Sequence, residues 1–277
     1  MRRRTEPELL FHYTSHLGFA SIIESREFWA HDYRLANDRR EISYARGLIR
    51  LGLDKLGQKK YEATIKDILA IFGHPFDPFD LRDDDDYIVI ASLSEEENQL
   101  SQWRAYAPDS GYAVGFDREL LFLLAKDQGF EVGRVVYDFN KQNEFIRVRL
   151  KDFLEEELAR RAAHIGDPFD IVERFHRFAT ELAPLIKHES FHEEYEWRIF
   201  RHVDPSGIKF NRGASSIRPF LPLKLAKSKE FIKCLRAVRV GPADNQMALR
   251  QWTIDYLRNH GYEFDPRDDS TTQVLFR

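Results

Sequence analysis

The stretch that most constrains the fold is Tyr87-Ile88-Val89-Ile90-Ala91-Ser92. It is rich in aromatic and β-branched residues and unbroken by Gly or Pro, which marks a central strand. Other segments supply its neighbours. Leu9 to Thr14 reads as a strand stopping at Thr14 or Ser15, and Phe28–Ala30, Gly111–Phe116, Val132–Tyr137, Pro219–Leu225 and Leu235–Val240 read as further strands. Val274-Leu275-Phe276-Arg277 is a candidate edge strand. Glu194-Tyr195-Glu196-Trp197-Arg198-Ile199-Phe200 alternates charged and apolar side chains, the period of a strand with one polar face.

Helical spacing fills the gaps. Ser15 is placed to cap a helix bearing Leu17, Ala20, Ile22 and Ile23 on one face. Asn37 or Asp38, with Glu41 near the third helical position, forms a candidate capping box ahead of Tyr44, Leu48 and Leu51. Tyr61, Ile65, Ile68 and Leu69 mark another helix, and Ser94 to Glu97 is a second capping candidate before Leu100, Trp103 and Tyr106. Ile146, Leu150, Phe153, Leu154, Leu158 and Ala162 recur every three to four residues. A second helix runs from Pro168 or Asp170 to Ile186, so residues 140–186 read as a helical insertion in the sheet. Asn245 caps a last helix that Gly261 stops.

Composition bounds the class. With 43% hydrophobic and 32% charged residues, the chain is globular rather than disordered. One α+β domain spanning residues 1–277 is the expected organisation. No run of about 18 apolar residues suggests a membrane span. The lone Cys234 precludes an internal disulfide and fits a reducing cytoplasm. A net charge of −4 gives no global attraction to nucleic acid.

Familiar catalytic motifs are missing: no phosphate-binding glycine loop, no dinucleotide fingerprint, no HExxH, no cysteine cluster and no nucleophile elbow. His12 with His16, and His188 with His192, have the spacing of a helical metal pair. On a strand such residues stand ~13 Å apart. His12 sits on a strand and His188 at a helix-to-strand junction, so neither pair is expected to hold metal. Asp83 to Asp86 lacks the alternating spacing that aims carboxylates at one cation, and reads as a solvated loop. Glu194 and Glu196 are more informative. On one strand face their Cα atoms lie about 6.6 Å apart, and two such carboxylates repel unless something uses them. The plainest reading has Arg198 neutralising Glu196 on a solvent-facing sheet surface.

The segments Leu10 to Ser15, Asn37 to Glu41, Ala91 to Ser94, Gln102 to Tyr106 with Gly111 to Phe116, Glu194 to Arg198, and Val238 to Pro242 follow one another in a recognisable order. In that order they resemble the bacterial domain-of-unknown-function family 2971 over nearly the whole chain. That family has no established activity, and its members resemble phage-defence or abortive-infection accessory genes.

An early strand bearing His-Tyr-Thr, then a short helix, then a late strand bearing Glu-x-Glu is also similar to the ADP-ribosyltransferase superfamily. That resemblance implies an α+β fold with a split, mostly antiparallel sheet core and helical insertions. It implies NAD as substrate, with His12 orienting it beside Tyr13 and Thr14, Thr14 supporting the adenosine ribose. Glu196 would be the catalytic carboxylate, and Glu194 would position or deprotonate the acceptor. Arg198 or Arg104 would hold the pyrophosphate, and Tyr33, Trp103 or Tyr106 would stack on nicotinamide. The implied activity is ADP-ribosyl transfer onto nucleic acid or protein by a phage-defence or toxin effector, with an antitoxin or defence-system partner. Two alternatives stay open: a metal-dependent nuclease or hydrolase using Glu194, Glu196 and a His, and a non-catalytic nucleotide-binding sensor module.

Overall fold

The computed structural model describes residues 6–35, 41–57, 59–72, 87–108, 110–165, 170–212, 217–225 and 233–262. The expected capping residues Asn37 and Asp38, the run Asp83 to Asp86 and the tail Val274 to Arg277 lie outside them.

The central strand of the sequence reading, β3 (Tyr87–Ser94), has neighbours on both edges. Along one edge all eight of its residues pair antiparallel with β6 (Glu196–Val203), from Tyr87↔Val203 to Ser94↔Glu196. The other edge is shared. β2 (Glu27–Asp32) meets it at His31↔Ile90 and Asp32↔Val89, while β1 (Leu9–Thr14) touches it only at Phe11↔Ser94. The sheet therefore forks where β1 and β2 part. Outward from β2 run β8 (Ile217–Lys224) and β7 (Lys209–Arg212), and outward from β1 run β4 (Tyr112–Asp117) and β9 (Leu235–Val240). β5 (Glu131–Arg134) flanks β6. The pairings are antiparallel, and the sheet curls into a half-barrel.

Two cores separate the faces. One joins Val89, Ala91, Leu93, Trp197 and Ile199 of β3 and β6 to α1 (His16–Ser25), α5 (Arg118–Asp127) and α8 (Gln246–Asn259). The other is helical. It packs α2 (Glu41–Lys55) and α3 (Glu62–Phe72) with α6 (Phe139–Ala162) and α7 (Ile171–Leu182) around Ile49, Leu53, Tyr61, Ile146, Leu150 and Phe175. The predicted insertion at 140–186 is thus half of a layer, completed by the earlier pair at 41–72. The short α4 (Leu100–Tyr106) seats Trp103 against Phe11 and Tyr13 of β1.

Local signals explain most boundaries. Ser15 caps α1 by accepting the Gly18 N–H at 3.2 Å. Gly261, at φ +84°, follows the C-terminus of α8. Two expectations need correction, and one strand carries no sequence signal. β7 carries no apolar alternation and was not predicted; it is a polar edge that β8 recruits through four residue pairs. Ser94 ends β3 rather than capping α4, and its hydroxyl donates to the Glu194 carbonyl at 2.7 Å. Leu17 is exposed, and Phe19 takes its place in the core. Among the described residues no helix is long and apolar enough to cross a membrane.

Candidate functional site

The polar face of β6 is not exposed to solvent. Glu196 and Arg198 are 5% and 4% accessible, because the helical layer and the turn at Ala183–Leu185 cover them. This corrects the solvent-facing surface expected from the alternation. Arg198 fits because its cross-strand neighbours are small: Ser92 on β3 and Gly133 on β5. A Cβ on Gly133 would stand 2.6 Å from Leu185 Cδ2, so the covering turn comes down directly over that glycine. Arg198 donates to both Glu196 oxygens at 2.8 and 3.0 Å, to Glu41 Oε2 at 2.8 Å and to the Pro184 carbonyl at 2.9 Å.

Two further groups come from distant sequence. Glu41 is the first residue of α2, where a carboxylate also complements the positive helix end. Lys187, 3% accessible, follows the turn that leaves α7. Its ammonium reaches Glu194 Oε2 at 2.6 Å, Glu41 Oε1 at 3.0 Å and Glu196 Oε2 at 3.2 Å. Gln142 of α6, fully buried, fixes this segment. Its amide donates to the Val136 and Lys187 carbonyls at 2.6 and 2.7 Å, and its oxygen accepts from Tyr44 of α2 at 2.8 Å. Glu194 is not on the strand as expected. It ends a 3-10 turn at Glu189–Glu194, and Tyr195 adopts a left-handed φ of 44° before β6 begins. Such a conformation is uncommon for a non-glycine residue, and residues so held cluster at functional sites.

The cluster holds three carboxylates, Glu41, Glu194 and Glu196, against two cations, Lys187 and Arg198. One negative charge is left uncompensated when all are ionised. Burial opposes charge on Glu196, but Arg198 and Lys187 outweigh it and hold this carboxyl below its usual range. Burial likewise raises Glu194; Lys187 pulls it back, Glu196 pushes it up again, and the net is a raised pKa. Burial disfavours the Lys187 ammonium, yet Glu196 and Glu41 hold its pKa above the ordinary value. Glu194, its pKa raised, therefore takes a proton more readily than Glu196, whose pKa is lowered.

At the fork of the sheet a cleft of about 40 Å³ opens between His12, Ser92, Gln102, Tyr106, Glu194 and Glu196. The His12 ring sits where β1 leaves β2, edge-on to Phe28 at 4.6 Å. Its Nδ1 donates to the Ser92 carbonyl at 3.0 Å, so Nε2 carries the lone pair. Burial brings its pKa down to about 4, and the imidazole is neutral near pH 7.

The other residues named from sequence divide. Tyr13 and Tyr106 line the cleft. Trp103 is packed into the core against Tyr13, ring centroids 4.8 Å apart, and donates to Asn98 at 2.9 Å. Tyr13 is buried, its hydroxyl donating to the Glu96 carbonyl at 2.7 Å and accepting from Gln99 N at 2.9 Å. Thr14 ends β1, Tyr33 lies in a 3-10 turn after β2, and Arg104 is on the exposed side of α4. The guanidinium of Arg198 is engaged inside the cluster rather than turned to a ligand. His188 and His192 share a different pocket, and no group of three or more His, Cys, Asp or Glu side chains placed to hold a metal ion occurs among the described residues. Sequence reasoning missed Lys187 altogether and read Glu41 as a capping residue.

Fold and site together define a mixed α/β protein with a curled antiparallel sheet and an ionic cluster buried beside its fork. Over residues 102–199 the chain is similar to a family described as "Protein of unknown function (DUF2971)". The matched segment carries Lys187, Glu194, Glu196 and Arg198 but stops short of His12 and Glu41, so it is narrower than the resemblance read from sequence. No curated protein and no solved structure matches the chain.

Proposed function

We propose that the cleft cleaves the nicotinamide–ribose bond of NAD and transfers ADP-ribose to a nucleic-acid or protein acceptor. The observation that carries this reading is that His12 of β1 lines the same cleft as Glu194 and Glu196, across β3, at the fork of an antiparallel sheet. As the C1′–N bond breaks, its electron pair leaves with neutral nicotinamide and the ribose becomes cationic. The uncompensated negative charge of the cluster is what such a transition state needs, and low-polarity surroundings strengthen the attraction.

The geometry suggests a division of labour between the carboxylates. Arg198 engages both oxygens of Glu196, whereas among the described residues Glu194 has Lys187 as its single ion-pair partner. Glu194 then faces the ribose cation and takes the proton of the attacking acceptor. Glu196 holds Arg198 and Lys187 in place, and the His12 lone pair accepts a ribose hydroxyl. The cleft is smaller than the several hundred Å³ of a nucleotide site, so binding displaces the α4 wall that Gln102 and Tyr106 form.

The test is chromatographic detection of nicotinamide after incubation of the protein with NAD and a metal chelator. Release is expected without added metal, at least ten-fold slower in His12→Ala. Release that needs a divalent cation, or NAD-dependent thermal stabilisation without any release, would replace this reading with a metal-dependent hydrolase or a binding module.

A further inference from the structure

The turn carrying Glu194 has a second side. A pocket of about 760 Å³ is lined by Arg134, Tyr137 and Lys141 from the β5–α6 junction and by His188, His192 and Tyr195 from the turn. This is a ligand-sized volume. Its two imidazoles are oriented by their hydrogen bonds. His188 Nδ1 accepts the Ser190 N–H at 3.2 Å, so the neutral ring carries its proton on Nε2 as a donor. His192 Nδ1 donates to the Glu189 carbonyl at 3.0 Å, leaving Nε2 as an acceptor. One short turn thus presents one ring donor and one ring acceptor.

The charges are as selective. Arg134 is paired with Glu95 at 2.8 Å, and the Asp138 carboxylate accepts the Lys141 N–H at 2.9 Å as the cap of α6. The Lys141 ammonium has no ion-pair partner among the described residues, and it rises from the first turn of a 24-residue helix. An unpaired ammonium at a helix start, beside an N–H donor ring, is suited to a phosphate. Tyr137 and Tyr195 add aromatic surface, and the His192 lone pair and Glu189 accept N–H or O–H groups of the same ligand.

We infer that this pocket binds a nucleoside phosphate, its phosphate on Lys141 and His188 and its base or sugar toward Tyr137, Tyr195 and His192. The inference does not rest on the chemistry proposed for the cleft. Isothermal titration of the full chain with ADP, adenosine and pyrophosphate tests it. ADP should bind more tightly than either fragment. Lys141→Ala and His188→Ala should each weaken ADP at least ten-fold, with His188→Gln, which keeps a donor, losing less than His188→Ala. No ADP binding at millimolar concentration, unchanged affinity in both alanine variants, or pyrophosphate binding as tightly as ADP would each overturn it. Because the readout is binding, a failure to release nicotinamide from NAD leaves this site standing, and the reverse holds too.

Discussion

On one face of β6, Trp197 and Ile199 pack into hydrocarbon shared with α1 and α5; on the other, Glu196 and Arg198 are equally buried but among charges. Two solutions to burial stand back to back on one strand. The hydrocarbon face gains from each methylene removed from water. The ionic face gains only if every charge keeps its partners, because desolvation of an ion costs several kcal/mol. A strand has no energetic need for such a face, and apolar residues of similar volume are often as stable or more so. A buried cluster with one charge in excess is therefore not explained by stability alone.

The largest break in this comparison should come from Arg198→Met, which leaves the Lys187 ammonium alone to offset the buried Glu41, Glu194 and Glu196 carboxylates. A loss of about 3–5 kcal/mol is expected in urea denaturation. Replacing Glu41 and Glu196 with leucine in the same chain should restore most of it. Ile199→Ala, on the opposite face, should lose about 2–5 kcal/mol through its cavity, and no charge substitution should rescue it. If the triple variant is no more stable than Arg198→Met, the ionic face is not an isolated cluster.

The next effect is in pH. His12 has a folded pKa of about 4, below its ordinary value, so the unfolded chain binds the proton more readily. Its contribution is present above about pH 6.5 and is lost as pH falls toward 4, on the order of 3 kcal/mol. His12→Gln should flatten the stability profile over that window. An unchanged profile would place the imidazole in solvent rather than in the fork. Glu194 has the opposite sign: its raised pKa gives a contribution present at low pH and lost as pH rises through the folded value.

A smaller, steric effect is expected from Gly133→Ala, whose methyl would press on Leu185 above Arg198. Overpacking of this kind costs about 1–3 kcal/mol. Thermal denaturation checks it, and a neutral result would mean that the turn at Ala183–Leu185 yields easily.

The same comparison shows what sequence can carry. The period of two across Glu196 to Phe200 announced β6, and the β-branched run announced β3, because side-chain alternation and propensity are local. The burial of Glu196 and Arg198 was not legible, since charged alternation looks the same whether water or another layer covers it. That layer comes from residues 41–72 and 139–186, far along the chain. Lys187 is a single lysine after Leu185 and Ile186 with no periodic signature, and a glutamate opening a helix, like Glu41, has an ordinary reading as a dipole complement. Tyr195 carries no turn chemistry of its own; its left-handed turn is tied down by its N–H to the His192 carbonyl, by Glu95 N to its carbonyl and by the bond from Ser94 to Glu194.

The smallest expected change in stability belongs to Glu194→Gln, which removes the surplus charge while keeping the shape, and it also gives the sharpest test of whether the ionic face works on a substrate. Its unfolding free energy and its rate of nicotinamide release from NAD should be measured on the same preparation. Stability near pH 7 within about 1 kcal/mol of the parent chain, with release slowed about a hundred-fold or more, is the expected pair of results. Undiminished release by a stably folded variant would contradict the assignment and leave the charged face of β6 as a structural feature alone.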